Sequence, residues 1–223
     1  MGKRVPLLEE PIADMDAVIQ YDKGAKYYMI PEYKYFVRKI LKRGIRSGRV
    51  LDIGTGSGLL AIELAKVKGC HFEIVALDIS ENMINKAREN ARQAGVESKI
   101  KFLVSTAAAL PFDDNSFDIV ISYASLHHWF KPVSVFNEVA RVTRETGHAI
   151  IRDNKRVYQN PVWKAVIWSF SRFMNKRHRD NWPKALLASY TIPEVREMLS
   201  KSRLHDYRIR SDFVFIDLCI ESP

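Results

Sequence analysis

A chain of 223 residues that is 47% hydrophobic is long enough for one well-cored α/β domain with additions, and short for a second. Its 35 lysines and arginines against 26 acids give a formal charge of +9, which invites an anionic partner, nucleic acid included. Cys70 and Cys219 form no metal-ligand pattern, no apolar run is long enough to cross a membrane, and MGKRVPLLEEP has no apolar core behind its charges, so a cytoplasmic protein without a bound metal is expected.

In chain order, Met1 to Pro11 reads as a loose tail, and Ala13 to Ile45 as one or two helices broken near Pro31. The organising stretch follows, Arg49 to Gly58, RVLDIGTGSG. Val50, Leu51 and Ile53 suggest a buried strand, and LLAIELAK beyond the glycines has helical apolar spacing. Glycines remove Cβ atoms where the chain bends and where a ligand approaches, and the helix start offers unpaired N–H groups. This is a nucleotide-binding corner. A dinucleotide corner of the form G-x-G-x-x-G would need its third glycine at Leu59, whereas the one present is Gly58. Asp52, at the strand's C-terminal end, wants a cationic or donor-rich partner.

Phe72 to Asp78, FEIVALD, is an apolar run ending in an acid about 20 to 26 residues past the corner, where such folds place the carboxylate that accepts both ribose hydroxyls. Ser80 is the predicted cap of the next helix, which ends at Gly95. Lys101 to Ser122 holds two strands with a short connection, and Tyr123-Ala124-Ser125-Leu126-His127-His128-Trp129 follows at the sheet edge where open α/β folds bind ligands. Strand and helix should alternate through Ile151. TIPEVREMLSKS is a helix, and Tyr207 to Ile209 with Phe213 to Ile220 is an antiparallel hairpin.

Asp52, the G-x-G-x-G run and Asp78, followed by Leu110-Pro111-Phe112 and Phe117-Asp118-Ile119-Val120, resemble the class I S-adenosylmethionine-dependent methyltransferases. Leu126-His127-His128 resembles their small-molecule branch, methyltransferase type 11, which includes the ubiquinone/menaquinone-biosynthesis methyltransferases. The resemblance implies a Rossmann-like, mostly parallel seven-stranded sheet with an antiparallel last strand, helices on both faces, an N-terminal helical cap and a helical insertion after strand 5. One domain, 1–223, would then comprise a tail and cap at 1–45, a cofactor-binding core at 49–152, a substrate-cap insertion at 153–190, and a last helix and hairpin at 191–223.

The implied cofactor is S-adenosyl-L-methionine, its ammonium near Asp52, its backbone on Gly54, Thr55, Gly56 and Gly58, and its ribose on Asp78. Ile79 and Met83 would lie beside the adenine, though Met83 reads equally well as helix packing. Thr106 stands where the family often has an aspartate facing the adenine amino group; its hydroxyl can still accept, and the Ala107 N–H can meet a ring nitrogen. Tyr123 would face the cofactor. Arg144-Glu145-Thr146-Gly147 replaces the family's K-P-G-G connecting loop. An N-terminal helix with Y-D and a later tyrosine matches Tyr21, Tyr27 and Tyr28; Tyr28 is the expected site residue, with simple packing as the alternative.

A sulfonium methyl is already activated, so the protein must align an acceptor, exclude water and take any proton. His127 or His128 suits that last role, against the alternative of a loop hydrogen bond. The insertion from Asp153 to Tyr190 holds eight cations and two acids, so +6 of the chain's +9. Its predicted helix, Pro161 to Lys176, has an apolar stripe of Trp163, Val166, Ile167, Phe170, Phe173 and Met174, with Lys164, Trp168, Arg172 and Lys176 opposite. That second face is read as meeting something anionic with an apolar part, a lipid-like acceptor at a membrane surface, or else as simply solvated.

Three functions compete: methyl transfer to a small-molecule O, N or C acceptor, nucleic-acid methylation, and non-catalytic cofactor binding. Ser122-Tyr123-Ala124-Ser125 in place of N/D-P-P-Y/F argues against the second. Acceptor, methylated atom and oligomeric state are not written in the sequence.

Overall fold

The apolar runs of the central strands are buried on both faces, the pattern expected when helices cover both sides of a parallel sheet. The computed structural model, which describes residues 3–7, 12–156, 161–172 and 176–221, has this arrangement. β1 (Ser47–Ile53) lies between β2 (His71–Asp78) and β4 (Phe117–Tyr123), parallel to both. With β3 (Ile100–Val104), β5 (Thr143–Asn154), β6 (Tyr207–Ser211) and β7 (Phe215–Glu221), the sheet order is β3-β2-β1-β4-β5-β7-β6. β7 runs antiparallel to β5 and β6, as expected for the terminal hairpin. The order reverses between β1 and β4, and the crevice at such a reversal is where these sheets hold ligands.

Strand alternation divides the core. Val50, Ala76, Ile119, Ile121 and Ile150 face α2 (Ile30–Leu41), α3 (Leu59–Ala65) and α4 (Glu81–Gln93). Leu51, Ile53, Val75, Val120 and Ile151 face α5 (Pro132–Val142) and α8 (Ile192–Ser200). Phe36, Phe117 and Phe136 are fully buried, each contributing about 1.5 to 3 kcal/mol. The helices begin where capping residues allow. Asp14 accepts from Asp16 N–H before α1 (Met15–Tyr28), Ser80 accepts from Met83 N–H before α4, and Thr191 and Glu194 cap α8 reciprocally. Pro31 falls in the first turn of α2, so the N-terminal helices break beside it.

Several expectations are corrected. The tail is held at residues 3–7: Val5 N–H donates to the Leu187 carbonyl, and Arg4 donates to the carbonyls of Ala188 and His127 and stacks 4.0 Å over the Tyr190 ring. The short connection expected between β3 and β4 is present and holds no helix, so the alternation of strand and helix expected through Ile151 breaks there. Arg144 to Gly147 belong to the irregular start of β5, where Arg144 pairs with Asp118. The predicted helix from Pro161 to Lys176 divides: α6 (Pro161–Ser171) ends, and Lys176 opens α7 (Lys176–Ala188). Of the apolar stripe, Ile167 is buried and Val166 is exposed, while Phe173, Met174 and the side chains of Trp163 and Phe170 lie outside the described residues.

Candidate active site

At the C-terminal ends of β1 and β2 the glycine loop is fixed by its own backbone. Gly54 and Thr55 N–H both donate to the Leu77 carbonyl at 2.9 Å, and Gly56 N–H donates to Asp78 Oδ2 at 2.9 Å. Asp78 Oδ1 accepts from Ser80 N–H at 2.9 Å, so one carboxylate joins the loop to the start of α4. Position 54 must be glycine: its φ is +72°, and a Cβ would lie 2.1 Å from Ser125 Oγ. At Gly58, φ +78°, a Cβ would lie 2.8 Å from that of Ala87 and 3.2 Å from the Phe102 ring. Beneath the loop, Asn90 donates to Asp22 and to the Ser57 carbonyl, tying α1 and α4 to it.

A cavity opens above this corner. Tyr21, Gly54, Gly56 and Asp78 line one side, Ile79, Met83, Ser105 and Ala107 another, and Ser125, His128 and Trp129 a third. Ile12 closes part of the rim; its carbonyl accepts from Ser80 Oγ at 2.9 Å. Of the residues singled out in the sequence, the cavity gathers Gly54, Gly56, Asp78, Ile79, Met83, Ala107 and His128.

The others lie elsewhere. Asp52 is buried under the loop, where Thr55 Oγ1 donates to it at 2.7 Å; burial, then the Asp78 charge, push its carboxyl up to about 7, and the Thr55 bond only partly offsets them. Gly58 shapes the turn without lining the cavity. Thr106 Oγ1 accepts from Ala108 N–H at 3.3 Å, and its neighbour Ser105 takes the lining position. Tyr123 does not line the cavity; it packs edge-on against Tyr33 and Phe36 with its hydroxyl 3.5 Å from Glu32. Tyr28 stands edge-on to the exposed Tyr27. Tyr21, about two turns earlier in α1, reaches the cavity and bonds Tyr33; burial and Asp78 push its hydroxyl up to about 12.

The two histidines have distinct environments. His127 is 3% exposed; its backbone N–H and ring Nδ1 both meet the Asp153 carboxylate, each at 2.7 Å. Against a carboxylate, Nδ1 carries the hydrogen. His128 stacks at 4.1 Å from His127 and faces the cavity. Burial, then its histidine neighbour, lower its imidazole to about 4, so it is neutral near pH 7. Sequence reasoning missed Ser105 and Ile12, and it included Ser125 and Trp129 only within the run from Tyr123 to Trp129 expected to face the ligands. Ser125 and Trp129 share one hydrogen bond, Trp129 Nε1 donating to Ser125 Oγ at 3.0 Å, and only their position after β4 hinted at it.

Comparisons with known proteins bear on the family and the fold. A family model described as "Methyltransferase domain" matches residues 46–198. The ubiquinone/menaquinone biosynthesis C-methyltransferase of Yersinia enterocolitica is 30% identical over 159 residues, which are 68% of this chain and 63% of that relative; the match thus spans under two thirds of the relative. The Yersinia pestis protein of the same name is 29% identical over the same span. Among solved structures, a provisionally assigned S-adenosyl-L-methionine-dependent methyltransferase from Methanococcus maripaludis has a TM-score of 0.73 at 23% identity, covering 100% of this chain and 97% of its own. A SAM-dependent methyltransferase from Aquifex aeolicus has a TM-score of 0.64 at 20% identity, covering 93% and 98%. These two likenesses concern the fold.

Proposed function

The chain belongs to the methyltransferase-domain family, and from that premise we propose that it transfers the methyl group of S-adenosyl-L-methionine to a small-molecule acceptor. The observation that carries the reading is Asp78: one buried-edge carboxylate, held by Gly56 and Ser80 N–H groups, in a cavity at the sheet's reversal point. An ionised carboxylate has about four acceptor sites, so bonds to two ribose hydroxyls are compatible with those two N–H groups. Ile79, Met83 and Ala107 offer apolar contact for a purine, and Asp52, buried beneath the glycine loop and outside the cavity lining, can favour a ligand ammonium only from under that loop. The residues present therefore fit this cofactor, which when bound supplies an electrophilic methyl.

The protein's own work is then positional. Tyr21 and the glycine loop close one side, and Trp129 and Ser125 wall the other, which limits water. His128 presents a neutral imidazole that orients the acceptor or takes its proton, while Asp153 and His127 fix the turn carrying it. Thr55, Gly58 and Thr106 shape the pocket from outside it, and neither Tyr28 nor Tyr123 takes part. Base methylation of nucleic acid is disfavoured: Ser122-Tyr123-Ala124-Ser125 stands where N/D-P-P-Y/F would grip a base, and Tyr123, the last residue of β4, packs into the core. Among the described residues no helix is long and apolar enough to cross a membrane, and a cytoplasmic protein is our reading. The cationic insertion beside His128 supports an anionic or lipid-like acceptor. Transfer of labelled methyl from the cofactor to pooled metabolites, lipid extracts and bulk RNA tests the proposal; label entering RNA alone, or nothing, contradicts it.

A further inference from the structure

We infer that Arg4 is a positioning residue for His128, bracing from outside the cavity the turn that carries it. That turn is only three residues long, Leu126–His128, and a turn so short has few bonds of its own. The peptide unit joining His127 to His128 is nevertheless held at both ends. Its N–H donates to the Ser125 carbonyl at 2.9 Å, and its C=O accepts from Arg4 Nη2 at 2.9 Å. A planar peptide fixed at both ends fixes the direction in which the His128 side chain leaves the backbone. On the inner side the Asp153 carboxylate meets the N–H and Nδ1 of His127, so His127 is gripped between a carboxylate and a guanidinium.

The guanidinium is itself fixed. Its Nε donates to the carbonyl of Ala188, the last residue of α7, where carbonyls lack intrahelical partners and the helix dipole favours a cation. Its plane lies 4.0 Å over the buried Tyr190 ring. One rigid fork thus spans the carbonyls of residues 127 and 188, which a lysine ammonium, a point charge, does not reproduce. A plain tether for the N-terminal residues is the rival reading, but the Val5 bond to Leu187, the Ala188 bond and the Tyr190 ring suffice for a tether. The second arm of the fork goes to the histidine turn. The charged and titratable groups about His128 are His127 on its own turn, Asp153 of β5 and Arg4, with Tyr21 and Asp78 also lining the cavity it faces. α7 packs on the turn and carries Lys176, Arg179, Asp180 and Lys184, all exposed. Arg4 adds a like charge to the brace, and both keep the His128 imidazole neutral. The inference deepens the role proposed for His128, and its test needs neither an acceptor nor turnover.

The test is NMR titration of the full chain with ring-labelled histidines, the His128 signal being assigned by its loss in His128→Gln. In Arg4→Ala, His128 should titrate about half a unit or more above its wild-type position, as the brace and the neighbouring cation are lost together. Arg4→Lys, which keeps the charge but not the fork, should shift it in the same direction by less. Lys184→Ala, which removes an exposed cation from α7, should leave it unmoved. Affinity for S-adenosylhomocysteine should stay within about twofold in all three, because neither Arg4 nor Lys184 lines the cavity. An unmoved His128 in Arg4→Ala overturns the inference. So does a wild-type titration in Arg4→Lys, since charge without bracing would then suffice, and so does an equal shift in Lys184→Ala. Failure of the wild type to bind S-adenosylhomocysteine would count against the cofactor instead, and the titration would still decide the role of Arg4.

Discussion

Asp52 provides a quantitative prediction. Burial raises its carboxyl from 3.8 to about 7, so ionising it costs the folded protein on the order of 4 kcal/mol. The sign follows from a raised carboxyl: stability is highest below the unfolded value and falls as pH rises from about 4 to 7. A ligand ammonium near Asp52 reverses that penalty by favouring the ionised form. At pH 6 the free protein then holds about 0.9 proton on Asp52, and binding S-adenosylhomocysteine should release nearly all of it; at pH 8 it should release about 0.1. Affinity should accordingly be about tenfold higher at pH 8 than at pH 6. Titration calorimetry in two buffers of different ionisation enthalpy reads the proton count directly, and Asp52→Asn should abolish both effects. No linked proton at pH 6 and a flat affinity between pH 6 and 8 would refute the assignment of Asp52 to the ammonium.

His128→Gln should lower kcat about 100-fold with cofactor affinity nearly unchanged, if the imidazole takes the acceptor's proton. Because burial depresses His128 to about 4, the acid limb of kcat should lie near that pH; a limb near 6.5 that vanishes in the variant would contradict the burial argument. Gly58→Ala must combine a left-handed backbone with a Cβ 2.8 Å from Ala87. Strain and overpacking together should cost on the order of 3 kcal/mol, seen as a lower urea midpoint at unchanged slope, and a loss under about 0.5 kcal/mol would show that the turn relaxes freely.

What was legible in the sequence was what local rules dictate. Val50 to Ile53 and Phe72 to Leu77 could only be buried strands, and a glycine at 58 in place of 59 separated two ligand classes before any coordinates. Caps at Ser80 and Thr191 were equally local. What remained hidden depends on which face a side chain takes after the chain leaves regular structure. Tyr123 and His128 come from one segment, yet strand alternation sends the first into the core under α2 while the turn beyond β4 sends the second to the cavity. Thr106 and Ser105 exchange roles for the same reason. Tyr21 rather than Tyr28 reaches the cavity because α1 is anchored at Asp22, which Lys26 and Asn90 hold. Arg4 gave no signal, since its partners are carbonyls over a hundred residues away.

The most direct test of the account is calorimetric titration of the full chain with S-adenosylhomocysteine and, separately, with NAD, repeated on Asp78→Ala. The account predicts heat of binding with S-adenosylhomocysteine and none with NAD. In the variant, affinity should fall by on the order of 3 kcal/mol or more as two charge-assisted ribose bonds are lost, while thermal unfolding reports separately the loss of the Gly56 and Ser80 anchors. Binding of NAD without S-adenosylhomocysteine, or undiminished affinity in a folded Asp78→Ala protein, would contradict it.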